Sequence, residues 1–206
     1  SRAQPPLWRE TVRAGAVRSG ALIAAIALVT LVVVIVIALA SYHASDPSLN
    51  TASAGPARNW LGRGGALVAD GAFWLLGPGI ALLLPTLLLI ALRLWRDVPV
   101  GRWRRILLTA AGGIALLGSA FALVSGAAVG WLPAGWGGIL GLAVSDLLRA
   151  AIALIGNSEA VLWTTRGAAA IVGLCGLALW AYSFTIDMAE RPARAPREPK
   201  RLTDRR

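Results

Sequence analysis

The residues best suited to acid–base chemistry lie in the stretch SYHASDPSLN, residues 41–50. His43 is the only histidine of the chain and lies three residues before Asp46, and an imidazole beside a carboxylate can act as a general acid or base. Asp46 also precedes Pro47, and an aspartate in that position usually accepts backbone N–H bonds at a turn or a helix start. We therefore expect structural roles for His43 and Asp46, with the acid–base pair as the alternative.

Other chemical motifs are sparse in this sequence. The only cysteine, Cys175, lies in an apolar stretch, so the chain can form no internal disulfide, and it shares no metal-ligand spacing with His43. A phosphate-binding loop needs Gly-Lys followed by Ser or Thr, but the only lysine, Lys200, lies between a proline and an arginine. We expect no catalytic, cofactor-binding or metal-binding residue and no cofactor, so that this chain is not itself an enzyme.

The composition indicates which elements must position these residues. The chain is 57% hydrophobic and 15% charged, with a mean hydropathy of +0.68, which is typical of a membrane protein. A helix needs about 20 apolar residues to cross a hydrocarbon core of about 30 Å. The sequence predicts an all-α, polytopic membrane protein with four transmembrane helices, at about residues 20–40, 79–95, 106–130 and 160–185. The first apolar run is longer than the core of a cleaved signal peptide.

The distribution of charge predicts the topology. Sixteen of the twenty basic residues lie in the N-terminal arm (residues 1–19), the arginine-rich turn (residues 93–105) and the basic tail (residues 186–206). Basic residues that flank membrane helices are retained in the cytoplasm. We therefore expect a multi-pass protein of the bacterial inner membrane with both termini in the cytoplasm. The connections at residues 41–78 and 131–159 would then be outer loops.

The two predicted outer loops resemble each other. Each has a glycine pair, then an aspartate (Asp70 or Asp146), then an apolar stretch that ends at a glycine (Gly77 or Gly156). This pattern predicts an outer surface or amphipathic helix in each loop and a duplicated unit of helix, surface helix and helix. One alternative is a single long broken helix from residue 66 to residue 92, of the kind that transporters place at binding sites. Another is an ion pathway through Asp70 and Asp146, if the helices that carry them span the membrane. The absence of charge near the break favours the first interpretation.

Two further features concern packing and the C-terminal end. Gly126 with Gly130, and Ala169 with Gly173, have the small-residue spacing that lets membrane helices approach closely. The basic tail has too few apolar residues to fold, and we expect it to be disordered. Its charge allows weak binding of anionic lipid or nucleic acid.

Three stretches together carry a family resemblance. SYHASDPSLN, GPARNWLGRGGALVAD and LLGPGIALLLP resemble the N-terminal four-helix membrane domain of the FtsK/SpoIIIE-type DNA translocases. The residues that match the family's motifs are Ser41, Tyr42, Asp46, Pro47, Ser48, Asn59, Gly62, Gly65, Asp70, Gly77 and Pro85. The resemblance extends over roughly residues 27–184.

The resemblance implies a role in cell division and chromosome partition. In that family the membrane domain continues through a linker into a hexameric cytoplasmic ATPase that moves DNA, so ATP binding and strong DNA binding would belong to the full-length protein. This chain would be the membrane anchor and interaction scaffold. Its implied partners are the bilayer, division-site membrane proteins and, in the full-length context, further copies of itself. A stand-alone FtsK-like membrane subunit of another complex is the alternative, and a small transporter is a third hypothesis.

Overall fold

The computed structural model describes residues 7–49, 51–53, 55–98, 100–125 and 130–186, which fold into helices joined by short connections. Among these residues there is no β-strand. The α-helices are α1 (Leu7–Ala40), α2 (Gly62–Leu76), α3 (Leu83–Trp95), α4 (Trp103–Ser125), α5 (Gly138–Ala153) and α6 (Ser158–Ser183), and a 3₁₀-helix (Gly77–Leu82) joins α2 to α3.

Four helical segments are long and apolar enough to cross a membrane: Gly15–Ala40, Gly62–Trp95, Trp103–Ser125 and Ser158–Ser183. In α1 the side chains of Ile23 and Val33 are 68% and 50% exposed, although both are strongly apolar. A helix that is apolar on all sides and so little covered by protein requires lipid around it. The prediction of an all-α membrane domain with four transmembrane helices is confirmed.

The second of these segments is interrupted at Gly77, whose φ of 60° and ψ of −160° end α2. As one straight helix, the 34 residues of Gly62–Trp95 would be about 51 Å long, well over the thickness of a hydrocarbon core. The 3₁₀-helix and α3 together extend about 31 Å, which matches one crossing. The segment just before α2 and the C-terminal part of α2 both contact the end of α1, through Asn59 on Ala38 and through Phe73 on Tyr42, which follows α1. We infer that α2 lies across that end of the bundle.

The helices form two units of three segments each: α1, α2 and the 3₁₀-helix with α3 in the first, and α4, α5 and α6 in the second. In the first unit α1 packs on α3, and in the second α4 packs on α6, which is the most extensive contact in the fold. A Cβ added at Gly113 would lie 2.7 Å from the carbonyl oxygen of Gly176, so these backbones touch. The indole of Trp180 donates to the Leu82 carbonyl at 3.0 Å and joins the second unit to the 3₁₀-helix of the first.

An ion pair marks the end of the bundle opposite the C-terminal end of α1. The guanidinium of Arg18 lies 2.9 Å from the carboxylate of Asp97, which follows α3. Both side chains are exposed, so the pair contributes little stability. It does place the N-terminal half of α1 beside the arginine-rich turn, and two of the three basic segments therefore lie at the same end.

α1 begins at Leu7, well before the predicted span that starts at residue 20, and other helix boundaries differ from the sequence-based spans by a few residues. α4 begins at Trp103, three residues before the predicted start, and Gly130 lies in a turn rather than in a helix. α6 begins at Ser158 because the side chain of Asn157 accepts the N–H groups of Glu159 and Ala160 at 3.0 and 3.1 Å. The basic tail after residue 186 lies outside the described residues.

Candidate functional site

Six residues from the predicted family motifs meet where the end of α1 contacts α2. We call Ser41, Tyr42, Asp46, Asn59, Gly65 and Asp70 the motif cluster. The Ser41 hydroxyl donates to the Ile37 carbonyl at 2.7 Å and accepts the Trp60 N–H at 3.2 Å. The Asn59 amide donates to the carbonyls of Ala38, at 2.8 Å, and Ser41, at 3.2 Å. Carbonyls at a helix end lack partners within the helix, so these bonds fasten the returning chain to α1.

Asp46 holds together the two ends of the loop between α1 and α2. Its carboxylate is buried and accepts the backbone N–H of Arg58 at 2.8 Å and that of Asn59 at 2.9 Å. Such charge-assisted bonds are stronger than neutral ones. The sequence indicated a local cap at Pro47, but the loop returns the chain so that Asp46 binds amides 12 and 13 residues further on.

The His43 side chain does not bond to the Asp46 carboxylate. It is exposed, and its Nδ1 lies 3.1 Å from the Ser41 carbonyl oxygen. The backbone carbonyl of His43 accepts the Asp46 N–H at 3.0 Å. The two side chains therefore bind different partners, and the structure does not assemble the acid–base pair that the sequence left as an alternative.

Gly65 provides the space for Asn59. A Cβ at Gly65 would overlap the Asn59 side-chain oxygen and would lie 2.6 Å from the Cβ of Leu61. The same Asn59 oxygen accepts the Leu61 N–H at 3.1 Å. The Asn and Gly of this motif, with Gly62 at the start of α2, therefore act together to direct the chain from the loop into the helix.

Tyr42 and Asp70 form the second polar contact between α1 and α2. The Tyr42 hydroxyl hydrogen-bonds to the buried Asp70 side chain, and its ring packs edge-on against Phe73 with centroids 4.8 Å apart. Burial, and then the negative charge of Asp70, raise the pKa of Tyr42 to about 12. Tyr42 is therefore neutral at physiological pH. Asp146, the aspartate at the corresponding place in the second loop, is exposed on α5.

The remaining motif residues shape turns and helix starts. The Ser48 hydroxyl accepts the Thr51 N–H at 3.2 Å, and the Ser48 N–H donates to the Thr51 carbonyl at 3.1 Å. Pro47 is half-buried in the same turn. Pro85 is the third residue of α3, in the first turn of the helix, where proline is tolerated.

Glycines from both units meet beside the motif cluster. We call Gly77, Gly118, Gly137, Gly138 and Gly141 the glycine junction. Gly138 has a φ of 59°, and a Cβ there would lie 2.5 Å from the Gly77 nitrogen. A Cβ at Gly118 would lie 2.8 Å from the Gly137 Cα. No larger residue fits at these positions without moving the backbone. The Gly77–Gly138 contact therefore fixes how the two units meet, and the Gly118–Gly137 contact fixes how α5 starts against α4 within the second unit.

The predicted packing residues have different surroundings. Gly126 lies outside the described residues, and a Cβ at Gly130 would meet nothing within 4 Å. Ala169 is buried, and a Cβ at Gly173 would lie 3.3 Å from the Cβ of Ala120.

The Gly113–Gly176 contact between α4 and α6 was not singled out from the sequence, because small residues are too frequent in this chain for spacing to identify the close pairs.

Arg149 was also missed. It extends from α5 to the end of α4, where its guanidinium donates to the carbonyls of Ala122 and Leu123. A cation at a helix C-terminus satisfies free carbonyls and opposes the negative end of the helix dipole. An arginine within an apolar outer helix was the available signal.

The polar side chains of the motif cluster hold the end of α1 to α2 through hydrogen bonds. Its carboxylates, amide and hydroxyls bind backbone groups or Tyr42, and among the described residues no group of three or more His, Cys, Asp or Glu side chains could hold a metal ion.

Residues 18–181 match the family described as the 4TM region of the DNA translocases FtsK and SpoIIIE. That range covers most of the chain and includes the whole motif cluster and the glycine junction. The chain belongs to this family. The resemblance inferred from the motifs is thereby confirmed, and the chain is an FtsK-type four-helix membrane domain of a multi-pass protein of the inner membrane.

A relative supports the FtsK assignment. The DNA translocase FtsK of Pseudomonas syringae pv. syringae (strain B728a) is 32% identical over 166 residues, which are 74% of this chain and 20% of the relative. The chain thus spans about a fifth of the length of this FtsK protein. No solved structure gives a significant match.

Proposed function

We propose that this domain is the membrane anchor and interaction scaffold of an FtsK-like DNA translocase that acts in cell division and chromosome segregation, and that it catalyses no reaction itself. One observation carries the proposal. The buried polar side chains of the motif cluster are engaged in holding the end of α1 to α2, as Asp46 and Asn59 do through backbone groups. A rigid arrangement of helix ends is what a scaffold requires.

We also propose that both termini are cytoplasmic and that the motif cluster faces outward. The Arg18–Asp97 pair supports this topology, because it holds two arginine-rich segments at the end of the bundle away from the motif cluster. Basic segments on one side favour retention of that side in the cytoplasm. Alkaline phosphatase, active only outside the cytoplasm, should be active when fused after Ser53 and inactive after Thr185. The reverse pattern would refute the topology.

Division-site membrane proteins and further copies of the domain are the partners that we propose. α6 supports this, since Ile171, Leu174 and Leu177 are exposed along it and are available to lipid or to another helix. On the motif-cluster side, Leu49 and Trp60 are 81% and 76% exposed. Exposed aromatic and apolar side chains in a loop favour contact with a partner or with the headgroup region.

The scaffold role can be tested by microscopy. Residues 1–206 fused to a fluorescent protein and expressed in the source bacterium should concentrate at the division site. An unrelated four-helix membrane protein that carries the same fluorescent protein is the control and should label the whole membrane. Uniform membrane fluorescence of the domain would contradict the scaffold role and would leave only that of an anchor.

A further inference from the structure

An apolar groove lies between α1 on one side and α3 and α4 on the other. Its volume is about 560 Å³, and it is lined by apolar side chains that include Ala24, Leu31, Leu87 and Trp103. Along α1 it extends from Ala24 to Leu31, a rise of about 10 Å. Half of a hydrocarbon core is about 15 Å thick, so the groove lies within one leaflet.

The groove lies beside the first unit and is closed on one side by α4 of the second unit. In the second unit the long helices close on each other through the backbone contact of Gly113 with Gly176. In the first unit α1 presents Ala24 and Ala27 to the groove, and the space beside these small side chains is not filled by protein. Its volume lies within the range of small-molecule sites in proteins, about 300 to 1,000 Å³.

One end of the groove is strongly basic. Trp103 lines it, and the guanidinium of Arg104 lies over the Trp103 ring at 5.3 Å from the centroid. Arg102 and Arg105 are close neighbours in the chain. α4 begins at Trp103 with no acidic residue in its first turn, and the N–H groups there form the positive end of a 23-residue helix. Asp97, an acid in the preceding turn, is in the ion pair with Arg18.

We propose that this groove binds an anionic phospholipid, with one acyl chain between α1 and α3 and the phosphate at the start of α4 beside Arg102 and Arg104. An acyl chain suits an apolar groove in a single leaflet, and the basic end is complementary to the charge of a lipid headgroup. A zwitterionic lipid would also fill the groove, but its electrostatic attraction to the arginines would be weaker. The inference is independent of the scaffold role and of which leaflet faces the cytoplasm.

The test is native mass spectrometry of residues 1–206 released from detergent in the presence of equal amounts of phosphatidylglycerol and phosphatidylcholine with the same acyl chains. The wild type should retain phosphatidylglycerol preferentially. Arg102→Gln and Arg104→Gln should each lower the ratio of the two bound lipids about five-fold, the effect of one arginine near an anionic headgroup. Arg166→Gln is the matched control, because Arg166 lies over Trp163 at 5.5 Å in the same way, but Trp163, unlike Trp103, does not line the groove.

A second variant tests the acyl-chain site. Ala27→Phe places a ring in the groove and should reduce retention of both lipids. Equal retention of the two lipids by the wild type would overturn the proposal, and so would a loss of preference in Arg166→Gln as large as in Arg104→Gln. A dimer of the wild type that Ala27→Phe abolishes would also overturn it, since a second copy would then occupy the groove. If Ala27→Phe fails to fold, the exposed arginine variants still decide the matter.

Discussion

Replacement of Asp46 by alanine should separate the loop of the motif cluster from the end of α1. Asp46 is buried, and its two carboxylate oxygens accept the N–H groups of Arg58 and Asn59. Alanine removes both acceptors. The Asn59 N–H is then left in a buried position, and the Asn59 side chain, which holds Ala38 and Ser41, loses its support.

The expected loss of stability follows from these two bonds. A buried donor without an acceptor costs about 1 to 3 kcal/mol, and a half-buried donor that reaches water costs less. Removal of a buried carboxylate also relieves part of its desolvation cost. We therefore expect Asp46→Ala to lower the free energy of unfolding by about 2 to 3 kcal/mol. Asp46→Asn keeps one acceptor but turns an NH₂ group toward the other donor, so its loss should be about 1 to 2 kcal/mol.

The assay is reversible unfolding in mixed micelles with increasing dodecyl sulfate, followed by tryptophan fluorescence. Asp146→Ala is the matched control, because it removes an exposed aspartate from α5 and should change the free energy of unfolding by less than about 0.5 kcal/mol. If Asp46→Ala were no less stable than Asp146→Ala, the hydrogen bonds of the motif cluster would not be what holds the end of α1 to α2.

Three further changes test other contacts. Because the pKa of Tyr42 is raised from 10.0 to about 12, the stability that its proton provides is complete below pH 10 and is lost as the pH rises toward 12. In a Tyr182→Phe background, absorbance of tyrosinate should report this high pKa, and Tyr42→Phe should abolish that part of the pH dependence of unfolding; titration near 10 would contradict the contact. Gly138→Ala should cost at least about 2 kcal/mol through backbone overlap, whereas Gly71→Ala, where a Cβ meets nothing within 4 Å, should be neutral or stabilising in the same unfolding assay. Arg149→Met should cost about 1 to 2 kcal/mol by freeing carbonyls at the end of α4, and protection of the last turn of α4 from hydrogen exchange should fall; unchanged protection would argue against the cap.

The sequence was sufficient to predict a membrane protein and the number of crossings, because an apolar run long enough to span a bilayer is visible in the sequence without knowledge of tertiary contacts. The break at Gly77 was also predictable, since Gly-Pro-Gly cannot continue a regular α-helix. The motif residues could be named as a set.

The partners of those residues could not be predicted in the same way. Asp46 binds amides 12 and 13 residues away, and that distance depends on the path of a loop without periodicity. The contact of Gly77 with Gly138 joins the two units, and the cap that Arg149 provides joins α5 to α4. Both follow from tertiary packing and not from local pattern.

The central claim is that the domain acts through the shape of its joined helix ends and not through a reactive side chain. The most direct measurement is the enrichment of the fluorescent fusion at the division site, compared at equal membrane levels for three forms. A double variant, His43→Ala with Asp146→Asn, removes the exposed candidates for chemistry and should match the wild type, while Gly138→Ala, which disturbs the glycine junction, should lose enrichment. Loss of enrichment in the double variant, with Gly138→Ala unaffected, would contradict the claim.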